Sequence, residues 1–177
     1  MEGPKITLSK AQRLLLMTDG SVTTLLEVMT GKPIVVTTLL QQVVRADAER
    51  AAALDIEEGD SINYRVVVLK NEGDDRPLTY AESYAPIARL KKEFRHDLMK
   101  ADIPIGRIMT QRKIESRREI RCIETTSSEE LSDLFGVPHD APMLSRTYDI
   151  LSHDMVLIRI TETFPVTSFA QIAMESP

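Results

Sequence analysis

The 177-residue chain holds a single cysteine, Cys122, so no internal disulfide can form. A chain of this length buries a core without such staples, and the lone thiol suits a reducing compartment. Histidine is equally scarce: His96, His139 and His153 lie far apart and show no metal-ligand spacing. No apolar run approaches the ~18 residues of a membrane span. Residues Met1 to Leu8 lack the basic and apolar regions of a signal peptide. No glycine-rich phosphate loop is present. Nor is there a surplus of positive charge: the net charge is −5, which argues against a nucleic-acid or membrane-surface binder. These absences predict a cytoplasmic protein with neither nucleic acid nor membrane as partner. They leave open a small anion, which feels only the field of its own pocket.

Apolar residues make up 42% of the chain and charged residues 28%, which excludes a disordered or collagen-like chain. With no linker or low-complexity stretch, residues 1–177 are expected to form one domain.

Helical spacing marks Ser9 to Asp19, and a second helix is expected after the Asp19-Gly20-Ser21 turn, capped by Asp19 or Ser21. The β-branched run from Pro33 to Ala46 reads as a long strand. Asp47 to Leu54 reads as a short helix and Ser61 to Lys70 as a strand. The 71–75 loop returns the chain along Arg76 to Pro86. Ile87 to Met99 is expected to be helical, with a further short helix opening at 103–106. Lys113 to Thr125 reads as a highly charged strand and Ser127 to Phe135 as a capped helix. Pro142 to Ser152 and Met155 to Pro165 form a hairpin about His153-Asp154. After Phe169 no element is expected. The class is α+β: a single antiparallel sheet with helices on one face.

Two stretches, about 47–86 and 127–165, share one plan: helix, strand with Arg, hairpin, strand with Glu, proline. The spacing is 81 residues from Arg65 to Arg146, 80 from Glu82 to Glu162 and 79 from Pro86 to Pro165. Such agreement points to an internal duplication, although any two helix-preceded hairpins share much of this pattern. Strand alternation sets Arg65, Glu82, Arg146 and Glu162 beside apolar neighbours, on the covered face. Buried charges are paired or serve a site. Two structural Arg–Glu pairs would satisfy that rule. So would a closed pocket in which an Arg grips a carboxylate and a Glu takes a hydroxyl or moves a proton.

The phrases 16–23 (LMTDGSVT), 63–65 (NYR), 77–83 (PLTYAES), 103–107 (IPIGR) and 160–165 (ITETFP) resemble, in this order, the chorismate pyruvate-lyase family. The likeness is to its prokaryotic branch long treated as a domain of unknown function. More distantly the chain is similar to UTRA domains, the effector-sensing part of GntR-type repressors. The first resemblance implies removal of pyruvate from chorismate to leave 4-hydroxybenzoate, in a pocket buried beneath helical flaps.

Carried over by position, the resemblance implies that Arg65 and Glu162 act on substrate. Ile105, with Gly106 beside it, and Val22 would make substrate contacts through the main chain. The better-known bacterial enzymes have Met where this chain has Val22, so only a main-chain N–H at a helix start carries over there. Aromatisation drives the implied reaction, so no redox cofactor or metal is required. Chorismate would be the sole small-molecule partner of a monomer or homodimer.

An alternative is a stand-alone sensor of the same fold. About 33 residues precede the first strand, too few for a winged-helix DNA reader. A scaffold module is a third class, in which the inward charges only pair with each other. Cys122 is expected to pack beside Ile114 and Ile120. Arg117, Arg118 and Arg121, balanced by Glu115, Glu119 and Glu124, are expected on a solvated face. The scattered methionines are expected to fill core gaps.

Overall fold

Side chains that can accept a backbone N–H set the helix starts. In the computed structural model, which describes residues 7–100 and 102–170, Ser9, Ser21, Asp47 and Ser128 each cap a helix. These helices are α1 (Lys10–Met17), α2 (Val22–Thr30), α3 (Ala48–Leu54) and α6 (Glu129–Phe135). Helices α4 (Lys92–Met99) and α5 (Ile105–Gln111) stand between the two halves of the chain. Residues 1–6, 101 and 171–177 lie outside the described residues, and with them most of the leader reading and of the tail.

The strands are β1 (Ile34–Arg45), β2 (Ser61–Asn71), β3 (Thr79–Pro86), β4 (Arg117–Thr126), β5 (Met143–Ser152) and β6 (Met155–Pro165). They form one antiparallel sheet in the order β1-β2-β3-β6-β5-β4. That order reads as two copies of a three-stranded unit meeting at β3 and β6. Each copy places a short helix, α3 or α6, before its hairpin.

Most of the core lies on one face of the sheet. Leu15, Leu16, Leu26, Phe94, Leu98 and Ile108 of α1, α2, α4 and α5 pack on Val67, Leu69, Ala85, Ile158, Ile160 and Phe164. Each of the larger of these side chains contributes roughly 1.5–3 kcal/mol on burial. Helix α3 takes the opposite face, where Ala51 and Leu54 cover Ile62, Val156 and Tyr84. Gln12 locks α1 in place by donating to the carbonyls of Val166 (2.6 Å) and Ser168 (3.0 Å).

Some expectations shift. The helix expected from Ile87 breaks into a 3-10 turn, Ile87–Arg89, and α4, because Leu90 turns extended and buries itself in the core. Strand β4 starts at Arg117, after a positive φ of 50° at Lys113. A bulge at Arg121 then reverses the strand's faces, so Ile120 pairs with Tyr148 whereas Cys122 pairs with Thr147. Cys122 is therefore exposed, not packed beside Ile120. Met109 and Met143 fill the core as expected, but Met17, Met99 and Met155 are exposed. The hairpin about His153-Asp154 is as read, both residues taking the positive φ of a tight primed turn.

Register corrects one charge assignment. Arg65 pairs with Ser83, and Glu82 pairs with Val66 and Thr161. Directly paired residues share a face, so Glu82 lies on the side opposite Arg65, where it accepts a hydrogen bond from Tyr80 at 2.6 Å. Of the two structural Arg–Glu pairs, only Arg146–Glu162 forms.

Candidate functional site

Residues in register form a continuous row across the helix-covered face: Arg65 on β2, Ser83 on β3, Ile160 on β6, Tyr148 on β5 and Ile120 on β4. The next row places Ala81 beside Glu162 and Glu162 beside Arg146. The two rows floor a small cavity of about 60 Å³. At roughly 30 Å³ per molecule, that is room for about two waters. Ser21, Val22 and Thr23 at the start of α2 roof it, together with Pro104, Ile105 and Gly106 at the start of α5.

Arginines from the sheet hold the roof down. Arg146 Nη1 donates to the carbonyl of Thr18 at 2.8 Å, and Arg118 Nη1 to that of Asp19 at 3.1 Å. Arg65 Nη2 donates to the carbonyl of Ile103 at 3.1 Å. Asp102 binds Thr38 through both its carboxylate and its N–H, which ties the loop before α5 to the edge strand. Both flaps are thus fastened to the floor by polar contacts.

The charge inside is unbalanced. Arg65 and Arg146 are 2% and 1% exposed and Glu162 6%. Arg146 Nε donates to Glu162 Oε2 at 2.8 Å, and the Tyr148 hydroxyl donates to Oε1 at 3.2 Å. The Arg146 guanidinium also lies 4.7 Å from the Tyr148 ring centre. Arg65 has no carboxylate partner among the described residues, and its Nε is buried without an acceptor. Burial pushes the Arg65 pKa down, against a smaller opposing pull from Asp102. Burial also pushes the Tyr148 phenol up, reinforced by the Glu162 charge. A buried, unpaired guanidinium is costly, and an incoming anion relieves that cost.

Every residue singled out for the site, Val22, Arg65, Ile105, Gly106 and Glu162, lines this one cavity. Larger grooves lie elsewhere, one of about 630 Å³ over Phe94, Ile114 and Leu157. Its arginines are committed: Arg89 holds the carbonyls of Leu54 and Val156, and Arg112 holds Asp97. In the small cavity, by contrast, Arg65 and Arg118 each hold a main-chain carbonyl but keep a buried Nε without an acceptor.

Residues 16–172 match the family described as "Chorismate pyruvate-lyase Rv2949c-like". The chain belongs to this family. A relative from Methanocaldococcus jannaschii named "Putative lyase MJ0807" is 34% identical over 160 residues, covering 88% of this chain and 78% of the relative. The lyase-family fold is shared by effector domains of GntR-type regulators. PhnF from Mycobacterium smegmatis superposes with a TM-score of 0.73 at 16% identity, over 91% of this chain and 71% of that one. Its isolated effector domain gives 0.70 at 17%, over 89% and 96%. The C-terminal domain of a histidine utilization repressor from Pseudomonas syringae gives 0.62 at 15%, over 81% and 99%.

Among the cavity residues that were not singled out from sequence, Ser83, Arg118 and Tyr148 place polar groups from the sheet. Arg118 corrects the expectation of a solvated arginine group. Arg117 bonds the exposed Asp154 and Arg121 the buried Asp149, but Arg118 turns inward to the cavity. Alternation with Ile120 carried that signal, since the two stand two residues apart before the bulge.

Proposed function

We propose that this single-domain, cytoplasmic protein eliminates pyruvate from chorismate to leave 4-hydroxybenzoate. The observation that carries the reading is Arg65: buried, without a carboxylate partner among the described residues, and lining one small cavity with Glu162. Membership of the family supports the choice of reaction.

The chemistry balances with the substrate alone. The ring C–O bond to the enolpyruvyl group breaks, and its electron pair leaves with the ether oxygen. The proton on the adjacent hydroxyl-bearing carbon is lost, and that C–H pair completes the aromatic ring. The enolpyruvate takes up a proton and becomes pyruvate. Arg65 binds the carboxylate of the departing group and steadies the charge that develops on it. Glu162 accepts the ring hydroxyl; a carboxylate oxygen has lone pairs beyond those used by Arg146 and Tyr148. The main chain at Val22 and at Ile105–Gly106 lines the far end of the ring, and closing the flaps excludes water.

A second reading is effector binding without turnover. It is favoured by the engagement of both Glu162 oxygens, which suits a fixed acceptor better than a proton carrier. Incubating the purified protein with chorismate and following 4-hydroxybenzoate separates the two. Product above the uncatalysed background, lost in Arg65→Ala and Glu162→Ala, is the expected result. No product would leave only the binding reading, and near-normal turnover in either variant would remove that residue's role.

A further inference from the structure

We propose that Arg118 is the receptor for a second anionic group on the ligand, and that it links that group to the flaps. The inference rests on the cavity being an anion site, and it adds a residue, Arg118, that would separate diacids from monoacids there.

Arg118 stands on β4 in register with Ile150, on the same face as Tyr148 and Ile120. Its neighbours on the strand have acidic partners: Arg117 bonds Asp154 and Glu119, and Arg121 bonds Asp149 and Glu119. Arg118 has no carboxylate partner among the described residues, and its Nε is buried without an acceptor. Its Nη1 holds the Asp19 carbonyl of one flap at 3.1 Å. Its Nη2 lies 3.6 Å from the place where a Cβ on Gly106 of the other flap would be. One guanidinium therefore meets both roof segments and the cavity.

Arg65 and Arg118 line the cavity, whereas Glu162, the one carboxylate among its lining residues, is already paired with Arg146 behind it, and Asp102 of the flap loop bonds Thr38 and forms no ion pair with Arg65. Two positive charges stay uncompensated, which a dianion neutralises and a monoanion does not. Arg65 and Arg118 rise from strands four spacings apart, about 19 Å of sheet. They approach the cavity from opposite sides. A ligand with carboxylates at its two ends meets one arginine at each.

The test is calorimetric binding of chorismate, prephenate and phthalate as diacids and of 4-hydroxybenzoate as monoacid. The proteins are the unaltered chain, Arg118→Gln and Arg118→Lys. Glutamine keeps a donor for the Asp19 carbonyl but drops the charge. For the diacids that bind, Arg118→Gln should weaken affinity by about tenfold or more, the scale of one charge-assisted bond. Affinity for 4-hydroxybenzoate should stay within about twofold, and Arg118→Lys should recover part of the loss. Equal losses for monoacid and diacid would make Arg118 a structural clasp only and overturn the proposal. So would unchanged diacid affinity in Arg118→Gln, or no diacid binding to the unaltered chain. Diacid binding that depends on Arg118 without turnover would remove the lyase reading and leave this one standing. Turnover with an unchanged KM in Arg118→Gln would do the reverse.

Discussion

Ser83 is the register partner of Arg65 across β2 and β3, in the place where the second hairpin sets Glu162 against Arg146. The spacing is 81 residues between the arginines and 79 between Ser83 and Glu162, the same 79 that relates Pro86 to Pro165. One hairpin thus carries a neutralised arginine and the other a free one. Ser83 reaches only the main-chain oxygen of Arg65, at 3.4 Å. Replacing it by Asp should supply the missing carboxylate. We expect Ser83→Asp to weaken binding of a carboxylate ligand by at least about tenfold. The ligand-free protein should melt no lower, since the buried Arg65 gains a partner. Titration calorimetry and a thermal melt check the two halves.

The Arg146–Glu162 pair is buried, and Arg146 also holds the Thr18 carbonyl. Arg146→Leu strands a buried carboxylate and frees one flap. Stability should fall by about 3–5 kcal/mol, measured by denaturant unfolding. The double change Arg146→Leu with Glu162→Leu should recover much of that loss, because an apolar pair leaves no charge uncompensated.

Three of the four tyrosines resist ionisation. Burial, with the Glu82 and Tyr84 charges behind it, pushes Tyr64 up to about 12. Burial also leads the upward shifts of Tyr80 and Tyr148, each helped by a glutamate that accepts its hydroxyl. Between the ordinary tyrosine value near 10 and these raised values, the unfolded chain binds fewer protons than the folded one. Their contribution to stability is therefore fully present below about pH 10 and is lost as pH rises through the raised values, about 12 for Tyr64. Spectrophotometric titration should show these tyrosinates appearing together with loss of the fold.

A cavity of about 60 Å³ cannot admit a ring-bearing diacid with the flaps fastened. Flap opening must precede entry, so the observed association rate should level off as ligand concentration rises. A stopped-flow series read on ligand absorbance tests this. A rate that climbs linearly throughout would mean that the roof is open most of the time.

Elements were legible wherever a local rule sets them. Ser9, Ser21, Asp47 and Ser128 announce helix starts, and β-branched runs mark β1, β2 and the last hairpin. Alternation sufficed for Arg65, Arg146 and Glu162, whose apolar neighbours lie two residues away. It failed for Glu82 because its apolar-looking companions, Tyr80 and Tyr84, lie on the other face, where Tyr84 stacks on Tyr64 at 4.9 Å. A tyrosine fits either side of a sheet. It failed for Cys122 because a bulge leaves no mark in a charged strand. The cavity's unbalanced charge was beyond reach, since it depends on which acids sit opposite which arginines across strands distant in sequence.

The two halves of the sheet touch through one seam, the pairing of β3 with β6 from Tyr80↔Thr163 to Tyr84↔Arg159. Ser83 and Glu162 lie on it, and the two central arginines flank it. A chain severed between α5 and β4 would leave Arg65 on one fragment and Arg146 with Glu162 on the other. Neither fragment alone holds a complete binding site. Recovery of ligand binding on mixing the fragments would then report their docking, which makes the seam a natural place to split the protein as an assembly sensor.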